Sequence, residues 1–118
     1  MNGILNGLSH LQSIKIAHRD IKLENIVMRD KDGLVPVIVD FGLSVFSDQT
    51  SYLFERCGTP GYVPPEIIFF QKDRKINSKC DVFSAGILFH ILLTGRPLFR
   101  GETGEEVYQN NKNLNISL

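Results

Sequence analysis

The chain has 118 residues, and its 13 basic and 13 acidic residues balance to a formal net charge of zero. This length predicts one modest domain, and the charge balance argues against a surface for nucleic acid or another polyanion. The two cysteines, Cys57 and Cys80, are too few and too far apart for a disulfide framework or a metal site, so we expect reduced thiols.

The distribution of apolar residues also bears on location. The first residues lack the basic stretch and long apolar core of a signal peptide. The most apolar stretch, residues 82–93, is interrupted by polar residues and is too short to span a bilayer. We therefore expect a cytoplasmic protein with no membrane partner, while the oligomeric state stays open.

The first half of the chain predicts a helix followed by a β-hairpin. Apolar residues recur at three- and four-residue steps from Ile4 to Ile14, which predicts an amphipathic helix over residues 3–16. The β-prone runs at residues 24–28 and 36–39 are separated by turn residues and form the predicted hairpin. A helix that begins almost at the first residue, without a cap, indicates a fragment of a longer domain.

A long irregular segment is expected next. Residues 40–66 show neither a helical nor a strand period and are rich in glycine and proline. Loops of this length are uncommon in compact domains and usually serve a function or are disordered. A short helix over residues 66–70 follows Pro65, which suits a first helical turn.

The last third of the sequence predicts two more helices. Ser78 is the expected N-cap of a helix over residues 79–94, and Gly95 is its expected stop. This helix is apolar almost all round, which predicts neighbours on every side and more surrounding mass than the chain supplies. A polar helix over residues 103–111 completes a fold that is mainly α with one small two-stranded hairpin, in the α+β class.

Four polar residues surround the predicted hairpin: Asp20, Lys22, Asn25 and Asp40. Carboxylate and amide oxygens such as those of Asn25 and Asp40 suit Mg²⁺, which keeps waters and substrate phosphates as its other ligands. Asp20 could accept a proton from an alcohol, and Lys22 could stabilise a phosphoryl group in transfer. If the four side chains converge on one point, they carry the groups needed to move a phosphoryl group to a hydroxyl.

Each of these residues also has a structural interpretation. Asp20 follows an arginine and could form a surface ion pair, and Lys22 could be an ordinary solvated side chain. Asp40 precedes Phe-Gly and could form a turn, while Asn25 could cap a local hydrogen bond. Taken one at a time, the four residues leave both interpretations open.

The order of short motifs favours the catalytic interpretation. The sequence reads HRDIKLEN at residues 18–25, DFG at residues 40–42, CGTPGY at residues 57–62 and PPE at residues 64–66. This order resembles the catalytic loop, metal-binding motif, activation loop and closing motif of protein kinases. Over nearly its whole length the chain is similar to the C-terminal lobe of eukaryotic serine/threonine protein kinases.

The resemblance implies ATP, Mg²⁺ and a protein substrate. It implies that Asp20 is the catalytic base and that Lys22 neutralises the transferred phosphoryl group, as is typical of serine/threonine specificity. It implies that Asn25 and Asp40 hold the Mg²⁺ ions, so that both contact the cofactor together with Lys22. Val27 matches the apolar position beneath the adenine.

Several further positions match supporting residues of the family. His18 and Phe41 match a stacked pair that supports the active arrangement. Asp81 matches the residue that anchors the catalytic-loop backbone, although an acidic residue in a first helical turn also simply favours the helix dipole. Thr59 matches the threonine that contacts the base and the lysine.

The activation loop carries one expectation about regulation. Arg19 matches an arginine that commonly pairs with a phosphate on this loop, and Glu55 stands where the phosphorylated residue often lies. A carboxylate can pair with a guanidinium directly, so we expect no phosphate requirement there, unless Glu55 is merely a solvated loop residue. The loop sequence also resembles that of calcium/calmodulin-dependent and related kinases.

The resemblance covers only part of a kinase domain. The sequence shows no Gly-rich loop, strand lysine or helix glutamate of the N-terminal lobe and none of the final helices. Residues 1–118 therefore fit a partial domain, and the isolated chain is expected to be inactive, with Glu66 buried and lacking the family's arginine partner. Two alternatives remain: a catalytically inactive, truncated kinase-like protein that regulates other proteins by binding them, and an unrelated small Mg²⁺-binding domain.

Overall fold

The computed structural model describes residues 1–47, 57–69 and 75–116. Within these residues the chain forms mainly helices, with short strands between them. In chain order the elements are α1 (Asn2–Ser13), β1 (Ile16–Ala17), a 3₁₀ turn (Leu23–Asn25), β2 (Ile26–Met28), β3 (Pro36–Ile38), β4 (Val45–Phe46), α2 (Pro65–Ile68), α3 (Cys80–Thr94) and α4 (Gly104–Lys112).

The predicted first helix and hairpin are both present. Helix α1 ends at Ser13, before the predicted residue 16, because Lys15 turns the backbone into the left-handed region with φ 58°. Strands β2 and β3 pair antiparallel, and Pro36 occupies the first position of its strand, opposite Met28. A proline at that position removes no ladder donor from the middle of the strand.

The expectation of an irregular segment throughout residues 40–66 was wrong at β4. Val45 and Phe46 pair antiparallel with Ala17 and Ile16, which form β1. The part of the chain that the structure describes therefore holds four short strands in two two-stranded sheets, not two strands. A two-residue strand is too short to show a period in the sequence, which is why the pattern missed it.

The long apolar helix is present as α3, with one correction at its N-terminal end. Ser78 is not its N-cap: Lys79 takes that position, and the side-chain oxygen of Asn77 accepts the Lys79 N–H at 2.9 Å. The predicted stop is confirmed, since Gly95 adopts φ 69° and donates its N–H to the carbonyl of Ile91 at 2.8 Å. Glycine is favoured there because the left-handed conformation penalises a Cβ.

Helix α3 is covered on one face rather than on all sides. Ala85, Ile87 and Leu88 are buried, whereas Val82 is 53% exposed and Leu93 is 70% exposed. The molecule is a slab whose shortest dimension is 18 Å, so within the described residues it has too little depth to cover both faces of α3. The expectation that this helix needs more surrounding mass than the chain supplies agrees with this exposure.

Among the described residues, two apolar clusters form the core, and the stretch that carries the candidate site runs between them. One cluster joins α1 to α3 and contains Ile21. The other joins Ala17 to Val63 and α2. Because Ala17 and Ile21 belong to different clusters, residues 18–20 are fixed at both ends by buried side chains.

The remaining helices lie close to their predicted positions. Helix α2 begins at Pro65, and Glu66 in its first turn is exposed, so the expectation that Glu66 is buried was wrong. Helix α4 has Thr103 as its N-cap, whose hydroxyl oxygen accepts the N–H of Glu106 at 3.2 Å. None of the described helices has the combination of length and apolar character needed to cross a bilayer.

Candidate active site

Three side chains from two distant segments meet at the end of the first loop. The hydroxyl of Thr59 donates to Oδ1 of Asp20 at 2.8 Å, although the two residues are 39 positions apart. The ammonium of Lys22 donates to the Thr59 hydroxyl oxygen at 2.9 Å and lies 3.5 Å from Oδ2 of Asp20. The Asp20 carboxylate is therefore held in one orientation beside a fixed positive charge.

Asn25 fixes the same loop from the other side. Its side chain is buried, and its Nδ2 donates to the main-chain oxygen of Asp20 at 2.8 Å and to Oδ2 of Asp20 at 3.2 Å. These bonds set the rotation of the side-chain amide, so the side-chain oxygen Oδ1 of Asn25 points away from the Asp20 backbone. The prediction that Asp20, Lys22 and Asn25 lie together is confirmed.

Asp81 anchors the backbone of this loop from the first turn of α3. Its two carboxylate oxygens accept the main-chain N–H groups of His18 and Arg19 at 2.7 and 2.8 Å. Burial raises the pKa of the Asp81 carboxyl, and the two N–H bonds oppose that rise only in part. Asp81 thus does more than complement the helix dipole, as the resemblance implied.

The anchored loop holds its backbone in an unusual conformation. Arg19 has φ 69°, in the left-handed region that non-glycine residues rarely occupy. Its N–H bond to Asp81 and the 2.7 Å bond from its Nε to the carbonyl of Leu43 hold it there. Such strain clusters at functional sites. The expected partner of Arg19, Glu55, lies outside the described residues, so the expectation about regulation stays a prediction.

The structure connects Asp40 to this group through the backbone of its neighbour. The Val39 N–H donates to the carbonyl of Asn25 at 2.9 Å, and the Val39 carbonyl lies 2.9 Å from Nε2 of His18. Asp40 then turns with φ 63°, is exposed, and accepts the N–H of Gly42 on Oδ1 at 3.2 Å. Asp40 therefore lies one residue after Val39, whose backbone is hydrogen-bonded to that of Asn25.

The apolar members of the predicted site are partly confirmed in their placement. The rings of His18 and Phe41 pack edge to face with centroids 4.9 Å apart, as the resemblance implied. Val27 lies on β2, two residues after Asn25, and its side chain is 44% exposed. The structure thus shows the predicted ring pair, while the contact of Val27 with the adenine stays a prediction.

Two polar residues at this site escaped the sequence interpretation. Ser84 on α3 donates its hydroxyl to the carbonyl of Tyr62 at 2.7 Å, and the amide of Asn111 on α4 bonds the backbone on either side of Tyr62. Both act on main-chain groups, which leave no trace in the sequence. A polar residue at an otherwise buried helix position is the one signal that could have pointed to them.

The geometry has a counterpart among known proteins. The model of the protein kinase domain matches residues 1–117. The chain belongs to the protein kinase family. Its family membership explains why an acid, a lysine, a threonine and an amide from separate segments converge around one loop.

Several individual protein kinases are similar to this chain in sequence. The chain is 38% identical over 118 residues to a protein of Plasmodium falciparum named probable serine/threonine-protein kinase 2, covering 99% of this chain and 22% of the relative. It is 36% identical over 107 residues to myosin light chain kinase A of Dictyostelium discoideum, covering 90% of this chain and 35% of that kinase. It is 40% identical over 110 residues to calcium-dependent protein kinase 3 of Plasmodium yoelii yoelii, covering 91% and 20%. The chain thus spans between about a fifth and about a third of the length of these kinases.

Proposed function

We propose that the protein containing this chain is a serine/threonine protein kinase, which transfers the γ-phosphate of ATP to a hydroxyl group of a protein substrate. The observation that carries the proposal is the bonding of Asp20: its carboxylate accepts from Thr59 and Asn25, with the Lys22 ammonium 3.5 Å away. Positioning and charge stabilisation are the main contributions an enzyme makes to phosphoryl transfer.

Asp20 is the proposed base. Both of its oxygens are oriented by hydrogen bonds, so the carboxylate has a defined direction from which to accept the proton of a substrate hydroxyl. Its side chain is 13% exposed, which leaves access for a substrate. Lys22 would place its positive charge beside the phosphoryl group as that group approaches the hydroxyl oxygen.

Asn25 and Asp40 are the proposed ligands of Mg²⁺. Their donor atoms are an amide oxygen and a carboxylate, which fit a hard cation that also binds phosphate and water. The described residues contain no cluster of three or more acidic, histidine or cysteine side chains that could hold a metal, so phosphate oxygens would complete the coordination. When bound, the ion would neutralise phosphate charge, and Val27 would contact the adenine.

The chain fits the C-terminal lobe of the kinase domain, as a partial domain over residues 1–118. Support comes from its content: the base, the lysine and both proposed metal ligands are present, while the sequence contains no G-x-G-x-x-G loop. That glycine-rich loop covers the ATP phosphates in protein kinases. We therefore assign phosphate transfer to the longer protein and expect the 118 residues alone to be inactive.

A groove next to Thr59 supports a protein substrate. It has a volume of about 520 Å³ and lies between the loop at Pro60, helix α3 at Ile87 and the segment around Phe99. Its lining is largely apolar, and it begins one residue after the threonine that bonds the proposed base. An apolar side chain of a bound polypeptide would fill it while a neighbouring serine or threonine reaches Asp20.

Similarity to kinases named as calcium-dependent supports a place near the calcium/calmodulin-dependent group.

The experiment compares phosphate transfer by the full-length gene product and its variants, using radiolabelled ATP, Mg²⁺ and a mixed protein substrate. Asp20→Asn should lower kcat by at least about 100-fold, and Lys22→Met should lower it by a similar factor. Asp32→Asn and Lys31→Met, in the exposed turn of the hairpin, are matched controls that should keep the wild-type rate. Phosphoserine and phosphothreonine, without phosphotyrosine, should be recovered from the substrate.

A wild-type protein that transfers no phosphate, or an Asp20→Asn variant that keeps the wild-type rate, would reject the proposal. In the first case the inactive regulatory protein becomes the better description. Retained binding of a protein partner by both wild type and Asp20→Asn, without transfer, would support that alternative.

A further inference from the structure

We infer that Asn111 is a positioning residue of this active site: its buried amide holds the loop of residues 59–63 so that Thr59 can orient Asp20. The inference rests on the proposed function, because it concerns the same base. Asn111 lies near the end of α4, far in sequence from the four polar residues around the hairpin.

Asn111 is unusual for its helix. Most side chains of α4 are exposed or half-buried, yet the side chain of Asn111 is 0% exposed. Burying an amide is unfavourable unless its polar atoms are hydrogen-bonded. An apolar residue would join α4 to the loop without that requirement, so the choice of an amide points to its hydrogen bonds.

All three hydrogen bonds of the Asn111 side chain go to the backbone of one loop. Oδ1 accepts the N–H groups of Gly61 at 3.0 Å and Val63 at 3.2 Å. Nδ2 donates to the carbonyl of Val63 at 2.9 Å. The amide thus hydrogen-bonds the backbone of residues 61–63 directly and fixes its conformation.

The segment of residues 61–63 begins two residues after Thr59, whose hydroxyl contacts the proposed base. The Tyr62 N–H closes a turn with the carbonyl of Thr59 at 3.0 Å. The Thr59 hydroxyl in turn donates to Asp20 at 2.8 Å and accepts from Lys22 at 2.9 Å. A shift of the backbone between Gly61 and Val63 would therefore move the hydroxyl that orients Asp20.

A second attachment shows what Asn111 adds. Ser84 on α3 holds the Tyr62 carbonyl at 2.7 Å, so the loop remains attached to the core without Asn111. Gly61 adopts φ 95°, and its N–H is one of the two groups that Asn111 accepts. Loss of Asn111 should consequently loosen the conformation of the loop without detaching it. The expected result is a misplaced Thr59 in a folded protein.

The test uses two substitutions of Asn111 in the full-length protein. Asn111→Leu keeps the branching of the side chain and removes its hydrogen bonds, while Asn111→Ala removes them without added bulk. Gln109→Ala is the control, because Gln109 lies on the same helix and its amide bonds to Glu105 of that helix. Hydrogen exchange of the peptide covering residues 58–64 should accelerate about tenfold or more in both Asn111 variants and stay unchanged in the control.

Kinetics then separate positioning from general destabilisation. A misplacement of the base should lower kcat by about 10- to 100-fold while KM for ATP stays within about twofold. Thr59→Val should lower kcat as well, and adding Asn111→Leu to Thr59→Val should lower it no further. Additive losses, or an unchanged kcat in both Asn111 variants, would overturn the inference.

A readout without phosphate transfer keeps the inference separable from the proposed function. The carboxyl ¹³C resonance of Asp20 should move in Asn111→Leu and remain in place in Gln109→Ala. If the wild-type protein transfers no phosphate but this resonance moves, the proposed function fails and the positioning role stands. If neither the resonance nor the hydrogen exchange of the loop changes, the positioning role fails whatever the activity.

Discussion

Asp81 accepts the main-chain N–H of Arg19 at 2.8 Å, across 62 residues of sequence, and so fixes a backbone that lies in the left-handed region. The next residue along is Asp20, the proposed base. A single carboxylate on α3 thereby links the long apolar helix to the loop that carries the chemistry. The strain at Arg19 persists because the helix that anchors it is itself held in the core by Ala85 and Leu88.

Asp81→Asn should destabilise the protein by about 2 to 3 kcal/mol. Asparagine retains one acceptor oxygen, so one of the two N–H groups from His18 and Arg19 would face an NH₂ group instead. Asp30→Asn is the matched control, since Oδ1 of Asp30 accepts a single N–H, from Leu34, in an exposed turn. Urea unfolding should show a large loss for Asp81→Asn and a loss below about 0.5 kcal/mol for the control. Equal losses would contradict the anchoring role.

The free energy of unfolding should depend on pH through the ionisation of the Asp81 carboxyl. Its pKa is raised in the folded protein, above the ordinary value of 3.8, because burial outweighs the two N–H bonds. Above 3.8 the folded state therefore keeps a proton that the unfolded chain has lost, so the contribution of Asp81 to the free energy of unfolding falls as the pH rises through this window.

Urea unfolding at several values between about pH 4 and about pH 6 would measure this contribution. The stability of the wild type relative to Asp81→Asn should decrease as the pH increases. A relative stability that rises over the same interval would show that the hydrogen bonds from His18 and Arg19 outweigh the burial.

The sequence predicted the elements that have a clear period or a clear stop. Helix α1, the hairpin, helix α3 and helix α4 were all expected within a few residues of their observed bounds. The motifs placed Asp20, Lys22, Asn25 and Thr59 together because their spacing is characteristic of one family. These predictions depend on local patterns, which a single sequence carries.

Features that depend on backbone geometry could not be predicted. Strand β4 has two residues, and only its pairing with β1 defines it. The amide of Asn111 bonds main-chain groups that lie 48 and 50 residues away, and any residue type can supply such groups. The exposed face of α3 depends on how many elements pack around it, which the composition of the helix does not reveal.

The two cysteine thiols should react slowly with alkylating reagents in the folded protein. Burial raises the pKa of Cys57, and the nearby Arg19 charge opposes that rise only in part. The pKa of Cys80 is raised further, by burial first and then by the negative charge of Asp81. Because the thiolate is the reactive form, little of it is present at neutral pH.

Iodoacetamide labelling followed by mass spectrometry would check this order of reactivity. At neutral pH both thiols should react more slowly in the folded protein than in urea, and Cys80 should react more slowly than Cys57. Faster labelling of Cys57 in the folded protein would instead identify an activated thiol beside Asp20.

Two helical glycines should respond differently to the same substitution. Gly86 lies on the exposed side of α3, and a Cβ there would meet no atom within 4 Å, whereas a Cβ at Gly7 in α1 would lie 3.1 Å from Cδ1 of Ile38. Alanine in a helix interior is favoured over glycine by about 0.5 to 1 kcal/mol.

Gly86→Ala should gain that full amount in urea unfolding. Gly7→Ala should gain less or lose stability, because the Ile38 side chain must move and its contact with α1 belongs to the apolar cluster that fixes Ile21. A smaller gain at Gly86 than at Gly7 would show that the exposed face of α3 is covered in solution. Hydrogen exchange along α3 would then identify the covered residues, since their amides would be protected beyond what the helix itself provides.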